Sequence, residues 1–76
     1  MEALIRSLPA EAERIRRRYW RDPEFRTVCT DYGDVLEALA RFEGLPPPRD
    51  RYAEQYRELA AELLAEAIEM LRRDRP

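Results

Sequence analysis

At 76 residues, 39% charged and 45% hydrophobic, the chain (1–76) is one small domain near the lower size limit for a self-sufficient core. Two glycines are too few for an all-β chain, and the apolar residues are too many and too periodic for disorder. The formal charge is −2, from 14 basic residues (all Arg) against 16 acids; with no His and one Cys, most catalytic and metal-ligating constellations are excluded, so no enzyme, cofactor or metal site is expected.

The N-terminal third predicts a helix over about 8–21, with Ser7 as N-cap and Pro9 in its first turn. Leu8, Ala12, Ile15 and Tyr19 recur at spacings of four, three and four, a narrow stripe suited to one contact surface. Residues 1–6 are expected to add a short turn or to fray. Trp20 falls off the stripe, just before the Asp22-Pro23 break, and is expected to cover the elbow there; left exposed, it would be an interface anchor.

Asp22-Pro23 predicts a second helix over about 23–43, since Asp is a strong N-cap and proline suits the first helical turn. At 1.5 Å per residue this helix is roughly 32 Å long. Phe25, Tyr32 and Leu39 repeat every seven residues, as do Val28, Val35 and Phe42, which gives three heptads of a/d pattern flanked by Cys29 and Leu36. Gly33 interrupts the helix at the edge of this stripe, at a cost of about 1 kcal/mol against Ala, and a close helix approach would account for it.

Gly44 followed by Pro46-Pro47-Pro48 is a stop signal. A third helix follows over about 50–73, with the apolar set Tyr52, Tyr56, Leu59, Ala60, Leu63, Leu64, Ala67, Ile68, Met70 and Leu71. At 100° per residue these positions cover roughly half the circumference, more than one neighbour can bury.

The predicted fold is therefore all-α: an antiparallel hairpin of the second and third helices with a shorter N-terminal helix, forming a three-helix unit or an oligomeric helical bundle. Self-association is expected because a chain this small leaves part of the third helix wet. The expected interface comprises Phe25, Val28, Tyr32, Leu39, Tyr56, Leu63, Leu64 and Ala67. No apolar run exceeds three residues, so no membrane segment or signal-peptide core is expected and the cytoplasm is the default location.

Two charged features invite a functional reading. Arg14, Arg17, Arg18 and Arg21 cluster beside Tyr19 and Trp20, and residues 1–26 carry seven Arg against five acids. Such a cluster suits phosphate contact with aromatic stacking. It equally suits the negative end of a helix dipole and local pairing such as Glu13 with Arg17, and the overall acidic charge disfavours a nucleic-acid module. Glu54, Glu58, Glu62 and Glu66 form a row on the third helix, read as a solvated face or a docking strip for a basic partner. Cys29, beside the apolar stripe and with no His to activate it, reads as a core residue.

Residues 22–43 resemble the small bacterial YdcH-like family at Asp22, Phe25, Val28, Asp31-Tyr32, Val35, Leu39 and Glu43, with a Gly- and Pro-containing link and a second helix starting near Tyr52. The chain departs from that family's basic pattern in the last helix, where Leu63-Leu64-Ala65-Glu66 carries no Lys. The resemblance implies a self-associating helical hairpin and transfers no catalytic residue. The expected function is a non-enzymatic protein–protein interaction module, bound to itself or to another helical protein. The alternative is a small regulator that contacts nucleic acid through the Arg cluster.

Overall fold

Proline and glycine divide the chain where the sequence predicts, and the helices between them are α1 (Glu2–Ser7), a 3-10 turn (Pro9–Glu11), α2 (Ala12–Arg21), α3 (Pro23–Phe42) and α4 (Asp50–Arg73). This is a computed structural model that describes residues 1–73. The fold is all-α, with no strand among the described residues.

The start of α3 follows from two adjacent residues. The Asp22 carboxylate accepts from the main-chain N–H of Glu24 at 3.0 Å and of Phe25 at 3.2 Å, satisfying two donors that a helix start leaves orphaned. Pro23 sits where no main-chain donor is lost. At the other end, Gly44 adopts φ +80, the left-handed conformation that lets the chain leave the helix.

α3 and α4 form the antiparallel hairpin and make the most extensive helix contact in the chain. The register is fixed at both ends. Phe42, at the end of α3, stacks on Tyr56 (5.6 Å between ring centroids) and tilts against Tyr52 (5.2 Å), both in the first turns of α4. Phe25, at the start of α3, lies under Arg18, which also holds Met70 at the end of α4. The seam pairs large with small. α3 buries Phe25, Val28, Cys29, Tyr32 and Val35, while α4 buries Ala53, Ala60 and Ala67, one every seven residues, and adds the larger Met70 and Leu71 only in its last turns. Short side chains on one helix leave room for long ones on the other.

The N-terminal segment follows the sequence prediction in outline: residues 2–7 form the short extra turn, and a helical stretch runs from Pro9 to Arg21. The differences are that Ser7 ends α1 rather than capping the next helix, and that this helix begins as a 3-10 turn before α2. Six residues are too few to hold a helix in water; α1 is held by packing on α3. Leu4 is fully buried, and the Ser7 hydroxyl and the Tyr32 hydroxyl lie 2.7 Å apart in a hydrogen bond. Gly33 is where α1 crosses. A Cβ built there would meet Ala3 Cβ at 3.8 Å, an ordinary contact, so the approach does not demand glycine.

α1 and α2 both pack on α3, and neither covers the length of α4. The molecule is consequently a rod of 48 × 22 × 17 Å with a radius of gyration of 13.7 Å, against about 11 Å for a spherical domain of this size.

Candidate functional site

Four arginines define the first candidate site, and the structure divides them. Arg14 and Arg18 are one turn apart on α2 and both reach the end of α4. Arg18 Nη1 donates to the Met70 carbonyl at 2.8 Å, and Arg14 Nη2 donates to the Leu71 carbonyl. Those carbonyls lie in the last turn of α4, where a helix lacks main-chain partners and carries partial negative charge. Arg18 Nε and Nη2 also bond Asp22 at 3.1 and 3.0 Å, and its guanidinium lies 5.7 Å from the Phe25 ring centroid. Arg14 pairs with Glu11 at 2.6 Å. These two residues thus join three helices and are not presented as a phosphate-binding surface. Arg26 repeats the device at the end of α2, donating to the Tyr19 carbonyl at 2.8 Å.

Arg17 and Arg21 are exposed, as is Arg16. Trp20 shares their side of α2. It is 72% exposed and touches Tyr19 edge-on at 5.2 Å. The expectation that Trp20 covers the elbow is corrected: Arg18 over Phe25 occupies that place.

The expected self-association surface is also redistributed. Phe25, Val28, Tyr32 and Ala67 are buried within a single chain, and Leu39, Tyr56, Leu63 and Leu64 are half-buried there. The hairpin's own seam consumes these residues, so the first four are not available to a partner. What remains uncovered is the outer side of α4. Tyr52, Gln55, Leu59, Glu62, Glu66 and Glu69 follow one another at spacings of three and four, and all are exposed, Tyr52 by 50% and Leu59 by 41%. This is a second heptad-like stripe, aromatic and aliphatic at its start and acidic at its end. Glu54 and Glu58 extend the acidic face. Sequence periodicity places Tyr52 and Leu59 in the apolar set but does not separate this outer stripe from the seam, because both share the seven-residue repeat.

Other features hold little chemistry. A cleft of about 270 Å³ lies between Leu8, Glu11 and Arg14 on one side and Ile68, Leu71 and Arg72 on the other. An open groove of about 420 Å³ runs beside α1, along Ala3, Arg6, Gly33 and Leu36. Cys29 is fully buried, and loss of solvation pushes its thiol pKa up, opposite to the shift that activates a nucleophile. Among the described residues no cluster of three carboxylate or thiol ligands could hold a metal ion, and no helix is long and apolar enough to cross a membrane.

Comparisons of the chain with protein-family models, with curated proteins and with solved structures find no match.

Proposed function

We propose that this chain is a non-enzymatic, self-associating helical interaction module. The observation that carries the reading is the outer face of α4. Tyr52 and Leu59 stand exposed on a stripe with coiled-coil spacing, and neither α1 nor α2 covers it. A two-helix hairpin with one short flanking layer buries few large side chains, and burying this stripe in an assembly adds apolar area at about 25 cal/mol per Å². The charged residues beside the stripe would set partner and register. The YdcH-like pattern of residues 22–43 supports the same reading and a bacterial origin.

The nucleic-acid alternative has less to stand on. It needs Arg14, Arg17, Arg18 and Arg21 together on one surface, and two of the four are engaged at the end of α4.

The test is whether stability depends on protein concentration. A chain that associates only when folded is stabilised by mass action, so its urea midpoint rises across a hundredfold concentration series. A midpoint that stays constant overturns the proposal.

A further inference from the structure

We infer that the occupant of the α4 outer face is the α2 outer face of a second copy, with Trp20 seated beside Leu59 and Arg16 and Arg17 paired with Glu62 and Glu66. The inference rests on the self-association reading and names the surface that serves it.

Three observations converge. The first is an unexplained exposed aromatic. Trp20, the chain's single Trp, is 72% exposed with Arg16 and Arg17 one turn before it, both exposed. An indole flanked by guanidinium groups is the composition of an interface anchor. The second is complementarity. The α2 face offers an aromatic followed, one turn back, by two positive charges; the α4 stripe offers Leu59 followed, one and two turns on, by Glu62 and Glu66. Run antiparallel with Trp20 opposite Leu59, Arg17 stands opposite Glu62, and Arg16 lies within three residues of Glu66, where it offsets the like charge of Glu13 that falls opposite that carboxylate.

The third is geometric and decides between the same chain and another. Arg18 already points at the end of its own α4, where it binds the Met70 carbonyl. Two residues of helix are 200° of rotation, so Arg16 and Trp20 lie about 160° away from Arg18 around α2. A face turned away from its own α4 meets that helix only in another molecule. In a two-fold dimer the contact forms twice, α2 of each copy on α4 of the other.

The experiment uses the Trp20 emission of the intact chain together with charge-swap variants. Emission is read over a concentration series with molar mass measured on the same samples. The expected result is red-shifted, quencher-accessible emission in the monomer and a blue shift that tracks dimer formation. Arg16→Glu with Arg17→Glu, and separately Glu62→Arg with Glu66→Arg, should each weaken dimerisation at least tenfold while helicity is kept, since all four positions are exposed. An equimolar mixture of the two variants should recover dimer. A dimer whose Trp20 emission stays that of an exposed indole, or variants that do not recover on mixing, overturns this contact but leaves self-association standing. A monomer at every concentration overturns both. A blue shift produced by a single-stranded oligonucleotide and never by concentration overturns the contact in favour of nucleic acid.

Discussion

Arg18 reaches across 52 positions of sequence to donate to the Met70 main-chain carbonyl at 2.8 Å, while the same guanidinium holds Asp22 at 3.0 Å. One side chain thereby ties the end of α4 to the junction of α2 and α3. Its side chain is 15% exposed, so these bonds are shielded from water. A hydrogen bond to a charged group is worth about 1.5–3 kcal/mol. Arg18→Ala should cost about 2 kcal/mol in urea unfolding, whereas Arg41→Ala, at an exposed position on α3, should stay within about 0.5 kcal/mol of the native protein. Equal effects at the two positions would contradict this role.

The acid limb of stability should report Asp22. Its carboxyl pKa is lowered, first of all by the hydrogen bond from the Phe25 N–H; desolvation opposes this next, and the Arg18 charge, the Arg18 hydrogen bond and the Glu24 N–H together tip the balance downward. The folded state therefore binds this proton less readily than the unfolded chain does. The stabilisation is complete above the ordinary Asp range and is lost as pH falls through the lowered native value. Asp22→Asn keeps a cap but not the charge. The native protein should exceed this variant in urea midpoint at neutral pH, and the gap should close progressively in acid. A gap that is constant with pH would show that the charge contributes nothing.

Gly33 should be replaceable. With Ala3 Cβ 3.8 Å from where its Cβ would stand, Gly33→Ala makes an ordinary contact and removes the conformational freedom of glycine in a helix interior. Stability should rise by about 1 kcal/mol. A loss of stability on thermal or urea unfolding would mean that α1 needs the gap.

The Ser7–Tyr32 hydrogen bond, 2.7 Å between hydroxyl oxygens, should hold α1 in place. Tyr32→Phe and Ser7→Ala should each cost about 1 kcal/mol, and the double variant should cost about as much as either alone. Strict additivity in this cycle would mean that the bond does not form in solution.

The parts of the fold that are local in sequence are legible in it. Asp22-Pro23, the two seven-residue repeats over Phe25–Phe42 and the Gly44 break mark the hairpin to within a residue or two, because capping and periodicity act between near neighbours. The N-terminal segment is legible only in part, for the opposite reason. Pro9 does open the helical stretch that runs to Arg21, but Ser7 does not cap it: Ser7 and Leu4 belong to α1, which is held by α3 some 25 positions on. The Arg cluster shows the same limit: no local pattern separates Arg14 and Arg18, which find helix carbonyls on α4, from Arg17, which stays exposed. The heptad of α3 is equally consistent with an internal seam and an intermolecular one, and only the packing of α1, α2 and α4 around it assigns Phe25, Val28 and Tyr32 to the inside.

Self-association is tested most directly by molar mass from light scattering across a concentration series, with helicity followed on the same samples. The predicted result is a well-folded species that moves from the 9.1 kDa of one chain toward twice that mass or more as concentration rises. A helical species that stays at 9.1 kDa throughout would contradict it.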